Sequence, residues 1–400
     1  MKKYTNNPFS AGEQALGYTY QARFALFKLL QLPEENAVLL EKDDDLDFID
    51  DKGVKTLASL KHKATGDRLT DLSTDFWKSV RIWLARYNRD GRSECALRFF
   101  IFTTSVVAEG SFLANFLPTE KSHPSFVLSF AEKALLTTKS KVINPIKAEF
   151  DQLSEDEKKD FLSRVVIFDS SPRIEDVPEL IIGQHMRTVR REFRRPVYER
   201  LEGWWSDLVI QLLSGKRTSE VFGHEVSDKL SSITDEYKTD NLPIDFRGAK
   251  PEGEIDPEND PRLFVVQLRE IGIMPNRIQN AIYDYYRAFK QRSSWARENV
   301  LVAGEVEEYE NRLVDEWGRY RDVIFEDLDD ESAEHVLIAA GKELYKWAEL
   351  NTDYLRIRER VSEPYVVRGN FHILANERPT PRVYWHPRFL ERLHDILSGP

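Results

Sequence analysis

One cysteine, Cys95, stands in 400 residues, so the chain cannot close an internal disulfide and its fold must be held by packing, as suits a reducing cytoplasm. No stretch approaches the roughly 18 uninterrupted apolar residues that a membrane-spanning helix requires. The first residues, MKKYTNNPFSAGEQ, lack the apolar run that a secretion signal places after its charges. These absences predict a cytoplasmic protein with no membrane partner. An excess of basic residues is also missing: 57 Lys and Arg face 68 Asp and Glu, a formal charge of −11. Nucleic-acid binders usually show the opposite balance. A carboxylate metal site is itself acidic, however, and backbone contacts need only a local basic surface. Internal repeats and low-complexity tails are absent too. What is present, 41% hydrophobic and 12% aromatic residues over this length, is enough to bury two cores.

Residues 13–31 space Leu16, Tyr20, Phe24, Phe27 and Leu30 at three- and four-residue steps, which predicts an amphipathic helix. Three short apolar runs follow, 37–40, 46–49 and 54–60, separated by Asp-rich or Gly-containing breaks, and they predict a meander of three strands. Residues 73–87 place Phe76, Val80 and Trp83 on one helical face. ALRFFIFTTSVV, 96–107, is too continuously β-branched and aromatic for an exposed strand and suits a buried central one. Residues 112–163 read as helical, and RVVIFD, 164–169, as a further strand closing a first domain. From about residue 186 the periodicity is helical, broken at 241–262 by Pro, Gly and Asp. The expected organisation is an α/β domain over 1–185, with a mixed central sheet flanked by helices, followed by a mostly α-helical domain over 186–400.

The second and third strands form a hairpin whose register follows from its turn. With Asp51, Lys52 and Gly53 as a three-residue loop and Gly53 left-handed, Asp50 faces Val54 and Asp45 faces Ser59. Opposed residues point to one side and alternate residues share a face, so Asp45, Asp47, Ser59 and Lys61 project together. A two-residue loop would turn Asp45 away from Lys61. Hydrolysis of a phosphodiester needs a hard divalent cation, and Mg²⁺ favours carboxylates, a backbone carbonyl and waters. Asp45 and Glu41 can supply the carboxylates, and the Leu60 carbonyl can complete the shell. Lys61 is placed to polarise the phosphate or help deprotonate water.

GYTYQ at 17–21, VLLEKDDDLDF at 38–48, SLKHK at 59–63, LTDLSTDFWKSVRIW at 69–83 and FIFTTS at 100–105 resemble the double-stranded-DNA endonuclease domain of bacterial anti-phage effectors, related to Mrr-type restriction enzymes. The resemblance implies a PD-(D/E)xK restriction-endonuclease-like fold and Mg²⁺ (or Mn²⁺). It also implies Asp45 as the metal-binding aspartate, Lys61 as the catalytic lysine, and Glu41 and Gln21 lining the site. The family usually carries Glu or Gln two residues before the lysine; this sequence has Ser59, a poorer Mg²⁺ ligand. RRPVYERLEGWW at 194–205, NLPIDF at 241–246, AIYDYYRAFKQRSSWAREN at 281–299, EYENRLVDEW at 308–317 and GNFHILANERPTPRVYWHPRFLERL near the end resemble the C-terminal domain of ABC-three-component defence systems, of which Lamassu is one. That second resemblance implies an SMC/Rad50-like ATPase partner, a small third subunit, restraint of the nuclease by its partner, and self-association of nuclease domains on activation.

Arg187, Arg190, Arg191, Arg194 and Arg195 recur at helical spacing and predict one guanidinium-bearing face for phosphate or partner docking; self-pairing with the chain's own acids is the rival reading. Lys63 is a further DNA-contact candidate, or else an edge-strand charge. The acidic run DDDLD can also be a solvated loop or a calcium loop, although the Gly and distal Glu of the latter are missing. His372 and His386 lack cysteine partners and read as structural, and His62 falls on the sheet face opposite Lys61. A catalytically degenerate fold acting as interaction scaffold or DNA-sensing adaptor is the alternative to an active nuclease.

Overall fold

A computed structural model describes residues 11–119, 124–138, 140–141 and 143–398; the N-terminal segment read for a secretion signal falls largely outside them. The chain divides into two compact units, residues 1–233 and 234–400.

The first unit runs α1 (Ala11–Gln31), β1 (Ala37–Leu40), β2 (Leu46–Ile49), β3 (Lys55–Lys61), β4 (Arg68–Leu69), α2 (Thr74–Arg89), β5 (Leu97–Thr103) and β6 (Val106–Val107). It continues with α3 (Pro124–Thr137), α4 (Asn144–Phe150), α5 (Glu155–Ser163), β7 (Val165–Phe168), α6 (Val177–His185), α7 (Arg194–Leu213), β8 (Val221–Phe222) and α8 (Gly223–Glu236). Six strands form one mixed sheet in the order β7-β5-β3-β2-β1-β8. β1, β2 and β3 pair antiparallel, as two short connections demand. β3, β5 and β7 pair parallel, because each is separated from the next by helices. The aromatic run of β5 is interior to the sheet, as its composition requires: Phe99 stacks on Trp83 of α2 at 5.3 Å on one face, and Phe102 meets Phe24 of α1 at 4.9 Å on the other. The unit is thus a helix–sheet–helix sandwich, and the ends of β2 and β3 lie between α1 and α2.

The division falls after residue 233 rather than at the expected 185, and the reason is an unprotected edge. β8 pairs with β1, setting Ala37 opposite Phe222 and Val38 opposite Val221, which covers a strand edge that would otherwise stand open. α7 also belongs here: Trp205 is buried and donates its Nε1–H to the Ala22 carbonyl at 2.7 Å, while Arg23 of α1 pairs with Glu202 at 2.5 Å. The 164–169 strand is therefore an edge of the sheet and does not end the domain.

The second unit contains α9 (Leu263–Glu270), α10 (Pro275–Arg297), α11 (Glu305–Phe325), α12 (Glu334–Leu350), α13 (Pro364–Ala375) and α14 (Phe389–Ser398), preceded by the Pro- and Asp-rich segment without helix. Its core gathers Leu344, Phe371 and Trp385. α13 crosses α10 at close range because Gly369 has no side chain; a Cβ there would collide with the Asp284 carbonyl and Ala288. His372 and His386 are both buried. Pro387 lies in the turn before α14, two residues ahead of its first turn. Among the described residues no helix is long and apolar enough to cross a membrane.

Candidate active site

The β2–β3 turn has Gly53 at φ 76°, and the Asp50 carbonyl accepts its N–H at 3.0 Å, while Asp50 N–H donates to the Val54 carbonyl at 3.1 Å. Asp50 Oδ1 accepts Lys52 and Val54 N–H groups at 3.0 and 2.8 Å, fixing the loop. The register Leu46↔Ala58, Asp47↔Leu57 follows, and one step beyond β2 it sets Asp45 opposite Ser59.

Asp45 is half-buried and fully engaged. Its Oδ1 accepts Gln21 Nε2 at 2.9 Å, and its Oδ2 accepts the Leu60 N–H at 2.6 Å and Ser59 Oγ at 3.4 Å, with Lys61 Nζ at 3.7 Å. Lys61 Nζ donates to Ser59 Oγ at 2.8 Å. Ser59, 1% exposed, also accepts from Ser79 of α2 at 2.8 Å. The structure thus brings together Gln21, Asp45, Ser59 and Lys61. Glu41 joins them from the β1–β2 turn, where it adopts φ 51° and donates its N–H to the Asp45 carbonyl at 3.1 Å. Loss of hydration raises the pKa of its carboxyl, and the nearby Asp45 adds to the rise, against lowering by the Gln21 amide and Lys61. For Leu60 it is the amide, not the expected carbonyl, that touches Asp45; in an extended strand both groups leave the same edge, so the carbonyl faces the β2 side as well.

The rest of the acidic run is structural. Asp47 is fully buried, caps Asp43 and Asp44 N–H groups at 3.1 and 3.2 Å and pairs with Lys55 at 2.9 Å, so it shares the face of Asp45 but not the Lys61 centre. Asp43 pairs with Lys55 and Arg86. Asp44 accepts Trp83 Nε1–H at 2.6 Å, and burial pushes its carboxyl up to about 6, with Asp45 adding to the rise. The run is neither a solvated loop nor a calcium loop: among the described residues no group of three or more His, Cys, Asp and Glu is arranged to hold a metal. Two carboxylates that meet at the Gln21 amide, Asp45 and Glu41, are what remains, and they fit a Mg²⁺ ion that keeps several waters.

A cleft of about 530 Å³ opens beside this group, lined among others by Tyr20, Gln21, Lys61, Lys63, Asp67 and Arg173. Lys63 pairs with Asp75 at 2.5 Å at the start of α2, and Arg173 Nη1 donates to the Lys63 carbonyl at 3.0 Å. His62 lies against Tyr20 at 4.9 Å, on the α1 face, and burial with Arg173 lowers its pKa. Sequence reasoning missed Ser79, Arg173 and Trp83. A serine among the apolar positions of α2 was the available signal for the first.

The five arginines do not share a helix face. α6 ends at His185 and α7 begins at Arg194, with a 3₁₀ turn at Arg191–Phe193 between them. Arg187 Nε donates to the Gly183 carbonyl at 3.0 Å, and Arg194 donates to the Val189 and Arg187 carbonyls at 3.0 and 3.1 Å, so both close the turn itself. Arg195 pairs with Glu179, and Arg190 and Arg191 are exposed. Unmet carbonyls at the end of α6 won over the helical spacing.

The arrangement is that of a mixed α/β domain carrying a carboxylate–lysine cluster, joined to a helical unit. Residues 264–393, within that helical unit, match the family described as C-terminal domain 7 of the ABC-three component (ABC-3C) systems. The match supports a component of such a multi-component defence system. No curated protein matches the chain. Among solved structures it is similar to the Cap4 SAVED/CARF-domain containing receptor of Acinetobacter baumannii with the cyclic trinucleotide 2'3'3'-cAAA, at 12% identity and TM-score 0.34, covering 59% of this chain. The chain spans about half of that receptor's length, 47%. The Moraxella osloensis Cap4 receptor aligns at 13% identity and TM-score 0.32, over 69% of this chain and 68% of the other. Similarity at this level carries no functional argument.

Proposed function

We propose that this chain is a metal-dependent endodeoxyribonuclease of the PD-(D/E)xK type, the effector component of an ABC-three-component defence system. The observation that carries the reading is the position of Lys61 Nζ, 3.7 Å from Asp45 Oδ2 and above the same sheet face, with Gln21 bonded to Asp45 and Glu41 close to all three. When bound, Mg²⁺ or Mn²⁺ supplies charge neutralisation at the scissile phosphate and an acidified water. Asp45 and Glu41 would hold the ion. Gln21 and the Leu60 N–H fix the orientation of the Asp45 carboxylate, and Ser59 and Ser79 hold Lys61 pointing at it. Lys61 brings an ammonium group to the non-bridging oxygens, where charge grows during in-line attack by water. Lys63 and Arg173 at the cleft are paired with Asp75 at 2.5 Å and Glu175 at 2.9 Å, carboxylates that a phosphate of double-stranded DNA would displace. Control by an SMC-like ATPase and a small third subunit, and activation by release and clustering, are part of the proposal through the C-terminal match. The test is plasmid cleavage by the purified chain in Mg²⁺ or Mn²⁺ against EDTA, with Lys61→Ala expected to remove it.

A second reading has its own observation. Ser59 stands where the resembling family usually carries Glu or Gln, and both Asp45 oxygens already accept protein N–H groups, as suits a degenerate nuclease fold serving as a scaffold or DNA-sensing adaptor in the same complex. Cation-independent DNA binding without nicking by the chain freed of its partners would favour it.

A further inference from the structure

Three arginines line one cavity of about 600 Å³ in the second unit, formed by α10, α12 and α13, a volume in the range of small-molecule sites. Each is anchored by protein groups, and Arg287 Nη1 also lies 3.9 Å from Asp284 Oδ1. Arg277 Nη2 donates to Glu349 at 2.6 Å and the guanidinium stacks over Tyr345 at 5.2 Å. Arg287 Nε donates to the Ala249 carbonyl at 2.8 Å and lies over Tyr283 at 5.6 Å. Arg368 Nε donates to Asp284 at 2.6 Å. A guanidinium offers five N–H donors, so each retains unspent donors while its plane is held still. The two carboxylates are thereby matched, and three guanidiniums against two acids leave one positive charge in the wall.

His372 is a second, independent observation. It lines the same cavity and is 3% exposed, yet its Nδ1 is shut off from solvent without a hydrogen-bond partner among the described residues. Buried polar atoms are as a rule partnered. Burial, then Arg368, pushes its pKa down to about 3, so the ring is neutral and presents one N–H and one lone pair. Gly369 fixes this wall, since it lets α13 approach α10 with Arg368 and His372 one turn apart.

We propose that this cavity binds a small phosphate-bearing ligand, its terminal oxygens taken by the free edges of Arg277, Arg287 and Arg368 and the neutral His372 imidazole completing the shell. Phosphate suits the site better than a carboxylate, because three terminal oxygens match three guanidinium forks. A metal cation is disfavoured by the excess of positive charge.

The experiment titrates the full chain with pyrophosphate and, separately, with adenosine 5′-monophosphate by calorimetry, in EDTA to silence the Asp45 site and at constant ionic strength. Saturable binding of either probe is expected, with at least tenfold weaker affinity in both Arg277→Gln and Arg287→Gln while their ligand-free melting temperatures stay near the wild-type value. The wild-type His372 imidazole ¹⁵N resonances should move on saturation, a readout that needs no variant. Binding of the monophosphate but not pyrophosphate would identify a nucleotide-type ligand, and the reverse a bare polyphosphate. Absence of saturable binding by both probes, or affinities and His372 resonances that ignore the ligand and the arginine variants, overturns the proposal.

Discussion

Lys61 Nζ stands 3.7 Å from Asp45 Oδ2 and donates at 2.8 Å to Ser59 Oγ, which Ser79 in turn holds at 2.8 Å. The lysine is therefore aimed at the aspartate by two hydroxyls, one in its own strand and one from the helix above it. Ser79→Ala removes the outer hydroxyl without touching the carboxylate or the ammonium. Cleavage should slow about fivefold, the scale of a lost neutral hydrogen bond of ~1 kcal/mol, with DNA affinity unchanged. Single-turnover cleavage and a binding titration on the same preparation separate the two effects. Equal loss of rate and affinity would mean that Ser79 supports the fold and does not position Lys61.

Asp44 gives a pH signature. Its carboxyl is raised to about 6 by burial, and by Asp45 in second place, so the folded chain holds a proton there that the unfolded chain releases near pH 4. A raised acid pKa makes stability fall as pH climbs from about 4 to 6, and the penalty is full above 6. The shift corresponds to at most ~3 kcal/mol. Relative to wild type, Asp44→Asn should therefore gain stability between pH 4 and pH 6 and then run parallel to it. Urea unfolding of both proteins at pH 4, 5, 6 and 7 checks the sign, and a constant difference across that window would contradict it.

Gly53 sets the register on which the site depends. Its φ of 76° is the region where an L side chain is strained, and nothing lies within 4 Å of an added Cβ, so Gly53→Ala tests backbone conformation alone. The cost should be about 1 kcal/mol, and Gly53→Asn should cost less, since asparagine tolerates the left-handed region. Chemical denaturation of the two variants gives the comparison.

Trp205 is 1% exposed and its Nε1–H is used by α1. Trp205→Ala should cost about 3–5 kcal/mol and lower cleavage by depopulating the folded first unit. If the residue instead served only the C-terminal domain, as the expected boundary at 185 implied, limited proteolysis would leave a first-unit fragment as resistant as in wild type. That fragment should instead be lost.

Much of the first unit was legible because its determinants are local. The Asp51–Gly53 turn fixes the pairing of β2 with β3 by counting, and the aromatic density of β5 places it inside the sheet. β8 escaped notice because two residues inside a helical pattern have no periodicity of their own; their strand character comes from the edge of β1. The arginine series misled for a related reason. Spacing alone cannot show that α6 stops at His185 and that Arg187 and Arg194 are needed by the carbonyls there. Within the site, Asp45 and Lys61 follow from register, whereas Ser79 and Arg173 enter from elements distant in sequence, where only tertiary packing decides the neighbour. Asp47 illustrates the limit of face arguments: it shares the face of Asp45, yet Lys55 and the backbone of the β1–β2 turn claim its carboxylate.

The most direct test of the nuclease reading is cleavage of supercoiled plasmid by the purified wild-type chain in Mg²⁺ and in Mn²⁺, beside Lys61→Ala and Asp45→Asn proteins verified as folded by circular dichroism. Wild type should nick or linearise the plasmid in a reaction that EDTA stops, and neither variant should. Cleavage that survives both substitutions, or a folded wild-type chain free of its partners that leaves the plasmid intact with either cation, would contradict the nuclease reading.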